Sequence, residues 1–138
     1  MANSTIKCAL ICDEIRREDN GKAFLIGVYG GDIVPLSFPA VMSVCLYLVG
    51  ESNEEKFSVN VMIELQSENK EHNKVYEQAI PIKRMDTKIK GKSEINIALL
   101  QIPLEINSPC KLIVKVKEEN KKWKEILTKG VIDRPSST

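Results

Sequence analysis

The chain has 138 residues, 43% hydrophobic and 28% charged, the balance of one ordinary globular domain. Lys plus Arg number 20 against 19 Asp plus Glu, so the net charge of +1 supplies no global field to steer nucleic acid or an anionic membrane. Aromatic residues are only 5%, which leaves little for a base-stacking platform and assigns the core to Ile, Val and Leu.

The first residues, Met1 to Thr5, have neither a basic nor an apolar signal region. No apolar stretch reaches the roughly 20 residues of a membrane helix. A cytoplasmic location is therefore expected, where Cys8, Cys12, Cys45 and Cys110 stay reduced.

Apolar residues recur with a period of two, and many are β-branched. Eight strands are predicted, over 5–18, 22–34, 41–49, 57–66, 75–82, 94–102, 110–117 and 123–128. No helical pattern competes. This spacing predicts an all-β antiparallel two-sheet sandwich, immunoglobulin-like or C2-like. One domain would fill residues 1–138, with an ordered core over 5–132 and a tail over 133–138.

In the first strand pair, Asn20-Gly21 reads as a two-residue type I′ turn. Asp19 then faces Lys22, Arg17 faces Phe24, Ile15 faces Ile26 and Asp13 faces Val28. Facing side chains share a side of the sheet. Ile11, Asp13, Ile15, Phe24, Ile26 and Val28 would form the core face, with Asp13 a carboxylate between isoleucines. The opposite face carries Cys8, Leu10, Cys12, Leu25 and Tyr29. It is apolar too, and so needs a cover.

Asn60 and its neighbours alternate cleanly. Phe57, Val59, Val61, Ile63 and Leu65 point in; Ser58, Asn60, Glu64 and Gln66 point out. An even loop at Glu118–Lys121 would put Trp123 and Leu127 on one face with Leu112, Val114 and Val116.

No complete catalytic constellation is present. His72 is the sole histidine and reads as a loop residue; there is no nucleophile-elbow motif. Cys8 and Cys12 would lie about 13 Å apart on a strand, too far for one zinc ion. Gly27 to Asp32 lacks the Gly-Lys-Ser/Thr ending of a phosphate loop, and reads as a bulge. The basic stretch Lys83–Lys92 lacks interleaved aromatics, so nucleic acid is not the expected partner.

The runs Ala9-Leu-Ile-Cys-Asp-Glu-Ile-Arg16, Asn20-Gly-Lys22 and Leu25-Ile-Gly-Val-Tyr-Gly30, with Phe38-Pro39 beyond, resemble small uncharacterised proteins of bacteria and their phages. The resemblance covers mainly the first forty residues. It implies a domain of unknown function and a prokaryotic or phage origin, and no activity.

Two functions remain ahead of a hydrolase. One is a non-enzymatic, oligomeric protein-interaction module using Cys8, Leu10, Cys12 and Leu25. The other is a small-molecule or nucleotide-binding protein, such as a phage-encoded antagonist of bacterial defence signalling, with a small anionic ligand held by Asp13, Arg16, Tyr29 and Asp32. Neither reading calls for a cofactor or a metal.

Overall fold

The structure is a computed structural model that describes residues 4–19, 22–83, 93–119 and 121–135. It contains eight strands: β1 (Ser4–Arg17), β2 (Ala23–Val28), β3 (Ala40–Ser52), β4 (Lys56–Gln66), β5 (His72–Lys83), β6 (Ser93–Ile106), β7 (Cys110–Glu118) and β8 (Lys124–Val131). They form two antiparallel four-stranded sheets, β2-β1-β3-β6 and β5-β4-β7-β8. The expected all-β sandwich is present, and the pairing of the middle strands, open in the sequence, is β3 with β6 and β4 with β7. No described helix is long and apolar enough to cross a membrane.

Alternation builds the core. Ile11, Val44, Leu46 and Leu48 of the first sheet meet Val59, Val61, Ile63, Leu112, Val114 and Val116 of the second, all fully buried. Each such side chain contributes about 1.5–3 kcal/mol by leaving water. The inward set expected for β4 is confirmed, with Leu65 half-buried at its end. A polar clasp joins the sheets. Glu118, 2% exposed, accepts the Ile6 N–H at 2.8 Å and the Lys124 ammonium at 3.0 Å, while Lys124 also donates to the Ile6 carbonyl at 2.9 Å.

Four local expectations are corrected. The first hairpin pairs Arg17 with Ala23, Arg16 with Phe24 and Ile15 with Leu25, one residue away from the two-residue-turn register. The Glu18 N–H closes on the Lys22 carbonyl at 2.9 Å, so three residues lie between them; Asn20 and Gly21 themselves lie outside the described residues. A one-residue slip reverses every facing pair. Second, residues 29–39 are not strand. They form a strap that crosses to the second sheet, where Ile33, fully buried, bridges Val131 in parallel. The Phe38–Pro39 bond within it is cis. Third, His72 begins β5 opposite Gln66 rather than lying in a loop. Fourth, Val116 pairs with Lys124, and a bulge after Val114 brings Leu127 opposite it. Leu127 thus reaches the core as expected, whereas Trp123 precedes the strand and packs in neither apolar cluster. Residues 84–92 of the basic stretch and 136–138 of the tail lie outside the described residues.

Candidate functional site

The first hairpin departs from regular alternation where its sequence looked odd. Ile11 faces the sandwich core, but Cys12 and Ile15, three apart, share a second cluster with Cys45. Strict alternation would separate Cys12 from Ile15. Gly27 accounts for the break on the partner strand: it stands at φ 70, the left-handed region glycine tolerates. A Cβ there would fall 2.4 Å from the Asp13 Oδ2. Asp13 is therefore not enclosed between Ile11 and Ile15. It is exposed, and the Tyr29 hydroxyl donates to its Oδ1 at 2.8 Å. Burial, reinforced by this bond to a carboxylate, pushes the Tyr29 phenol up to about 12.

The other two residues of the expected ligand set are engaged elsewhere. Arg16 Nε donates to Glu14 Oε1 at 3.2 Å, both exposed or half-exposed. Asp32 lies against β8, where a Cβ on Gly130 would meet its Oδ1 at 2.7 Å. The four residues thus make one joined pair, Asp13–Tyr29, and two separate neighbours, with a single cation among them.

Of the residues expected on the second apolar face, Tyr29 packs against the sandwich core instead. Leu10 pairs with Tyr47 and Cys12 with Cys45 on the outer side of the first sheet, and Leu25 packs into the same cluster. Cys8 and Leu10 are exposed and Leu25 is half-buried, but Cys12 is fully buried and presents no surface.

A neighbouring surface was missed because the slipped register consigned it to the core. Phe24 is 54% exposed, Ile26 43% and Val28 44%, and along the strap Val34 and Leu36 are exposed at 44% and 82%. Among the described residues, five of the nine exposed large hydrophobics therefore fall between positions 24 and 36. The signal was available: a sheet strand with apolar residues at every position except one glycine has one face too many for a two-layer domain.

β2 is also an edge strand. The other three edges are blunted. The end of β8 is bridged by Ile33, whose N–H donates to the Gly130 carbonyl at 2.8 Å while Ile132 N–H returns to the Ile33 carbonyl at 3.0 Å. β5 carries Pro81, which offers no N–H. β6 carries Pro103 and a bulge at Gln101, φ 52. Between Ala23 and Val28 there is neither a charge nor a proline, the usual devices against edge pairing.

Elsewhere, Glu64 on the outer side of β4 is held between Lys115 at 2.5 Å and His72 Nδ1 at 3.3 Å. The Lys115 bond leads in lowering the Glu64 pKa. His72 thus packs its Nδ1 against the Glu64 carboxylate. A cleft of about 350 Å³ at one end of the second sheet is lined by Lys70, Pro109, Cys110, Lys111, Val131 and Ile132 among others. Burial raises the Cys110 thiol pKa. Among the described residues no group of three or more His, Cys, Asp or Glu is arranged to hold a metal.

Residues 7–127 match the model of a family of unknown function, DUF6941, so the chain belongs to that family. No curated protein matches the sequence.

Proposed function

For this member of a family of unknown function, we propose a non-enzymatic protein-interaction module that works through the β2 edge. The carrying observation is the exposure of Phe24, Ile26 and Val28 on an unblunted edge strand. The edge supplies main-chain N–H and C=O groups for strand addition, and Phe24, Ile26 and Val28 supply the side-chain contacts. A patch of this kind rimmed by Glu14, Arg16 and Lys22 is the form interaction sites take. The partner is a second copy of the chain or another protein with a free strand. The proposed location is the cytoplasm, and the resemblance of the first forty residues supports a bacterium or a phage-infected cell.

Ile26→Lys tests the reading, since a charge on an edge strand opposes pairing. In sedimentation equilibrium the unmodified chain should associate with rising concentration, or retain a partner when purified from its host, and Ile26→Lys should do neither while keeping its unfolding midpoint. A monomer without partner in both cases sinks the proposal.

A second reading, a small-molecule binder, is supported by the cleft that brings Lys70 and Lys111 beside apolar walls, not by the Asp13 set. Lys111→Glu should then abolish a thermal upshift produced by small carboxylates or nucleotides. No upshift with any of them argues against it.

A further inference from the structure

Cys12 of β1 and Cys45 of β3 are direct cross-strand partners in the central strand pair of the first sheet. Both are fully buried, both are free thiols, and both belong to the same small cluster. Directly opposed residues of antiparallel strands have Cα atoms about 4.5–5.5 Å apart. A disulfide accepts Cα separations of about 4.4–6.8 Å. The backbone thus already holds the two residues within bonding range. Their sulfurs point into the same local region: the Cys12 thiol donates to the Glu14 carbonyl at 3.5 Å and the Cys45 thiol to the Asp13 carbonyl at 3.7 Å.

The sheet is irregular on both flanks of this pair. Opposite Cys45, the β3–β6 register shifts around Gln101, whose Nε2 lies 3.9 Å from the Cys45 sulfur. Beyond Cys12, Gly27 breaks the alternation of β2. Irregular ladders open locally at lower cost than the regular core, which gives an oxidant a way in. Cys8, exposed, and Cys110, half-buried, have no such partner; Cys8 pairs with Val49 and Cys110 with Val131.

We propose that Cys12 and Cys45 are a reversible disulfide site that staples β1 to β3. The bond would close residues 13–44 into a loop, and that segment contains β2 and the strap, hence the exposed Phe24, Ile26 and Val28. The oxidant is a low-molecular-weight disulfide. One cysteine thiolate attacks it, forming a mixed disulfide and releasing one small thiol. The second cysteine then displaces the other small thiol, and the protein's sulfur–sulfur bond forms. Two protein thiols are oxidised, one small disulfide is reduced to two thiols, and the two thiol protons go to the released thiolates. The reaction runs backward with excess thiol.

Oxidised and reduced glutathione provide the test, using the Cys8→Ser/Cys110→Ser variant refolded through urea so that access does not limit the outcome. At equilibrium in native buffer the bridge should persist at a glutathione ratio at least tenfold more reducing than in urea, because the fold presents the two sulfurs to each other. Intact mass should fall by two hydrogens, and the urea midpoint should rise and become dependent on reductant. On the wild-type chain, peptide mapping should find Cys12 linked to Cys45, with Cys8 and Cys110 alkylated or carrying glutathione; this keeps the test available should the double variant fold poorly. Equal equilibrium ratios in buffer and urea, or glutathione adducts on Cys12 and Cys45 in place of the bridge, would overturn the assignment.

Discussion

Replacing Glu118 by Gln isolates the clasp between the two sheets. The carboxylate is 2% exposed and takes two charge-assisted hydrogen bonds, from the Ile6 N–H at 2.8 Å and the Lys124 ammonium at 3.0 Å. Hydrogen bonds to charged groups contribute roughly 1.5–3 kcal/mol each. Gln retains an acceptor for Ile6 but loses the charge that Lys124 answers, and Lys124 is 40% exposed, so water recovers part of that loss. A net cost of about 2 kcal/mol follows. With a urea slope of about 2 kcal/mol per molar, the midpoint should fall by roughly 1 M at pH 7. The pH dependence fixes the cause. Burial acts to raise the Glu118 pKa, but the Ile6 and Lys124 bonds outweigh it, and the net shift is downward. A carboxylate with a lowered folded pKa stabilises above its unfolded value, near 4.3, and that contribution is lost as pH falls through the folded pKa. The gap between wild type and Glu118→Gln should therefore be full at pH 6–7 and close below about pH 4. Lys124→Met should narrow the pH 7 gap in a double-mutant cycle. A gap that is absent at pH 7, or that stays constant down to pH 3, refutes the charged clasp.

Further outcomes follow from the same geometry. Asp13→Asn should change the urea midpoint by less than the equivalent of about 0.5 kcal/mol, because the side chain is exposed and the Tyr29 hydroxyl can still donate to an amide oxygen. Gly27→Ala should cost about 1–2 kcal/mol by equilibrium unfolding, from its left-handed φ and the clash with Asp13, and Asp13→Gly should recover the clash share only. Ile33→Ala removes a fully buried strap residue and should cost about 2–4 kcal/mol, whereas Leu36→Ala, 82% exposed, should leave the midpoint unchanged. The Tyr29 phenol, raised in the fold, stabilises the protein below its unfolded pKa near 10, and that contribution is lost as pH rises toward about 12. Ultraviolet titration of Tyr29→Phe should lack the latest-ionising phenol, and a wild-type curve with no late phase would contradict the burial of Tyr29.

The architecture was legible because alternation shows through in β4 and β7: every second residue from Phe57 to Ile63 and from Leu112 to Val116 is buried, with Ile113 buried as well. Errors gathered where alternation fails. Asn20-Gly21 favours a two-residue turn locally, yet the pairing of Arg17 with Ala23 is set by packing Ile15 against Leu25 in the outer cluster. Local turn preference amounts to little beside the burial of two such side chains. Once the register slips, Asp13 is assigned to the core and Phe24 and Ile26 disappear from the surface, so one wrong offset displaced the candidate site. The strap was misread for a different reason. Leu25 to Val34 contains strand-forming residues, but Ile33 spends its backbone bonds on β8 of the other sheet, a long-range pairing that no local pattern encodes.

An exposed edge with Phe24, Ile26 and Val28 beside it is a liability that needs a reason to persist. The same chain handles its other edges with proline, a bulge and a bridging residue, so its sequence has ready means of protection. A single lysine at Ile26 would add protection to the fourth edge at little cost to the fold, because that side chain is 43% exposed and belongs to neither buried cluster. Retaining apolar residues there trades solubility for contact area, which is useful only if something docks. That is why Ile26→Lys separates the alternatives: a surface without a function should accept the charge and improve in solubility with nothing lost, whereas a docking edge should lose its partner while its unfolding midpoint stays where it was.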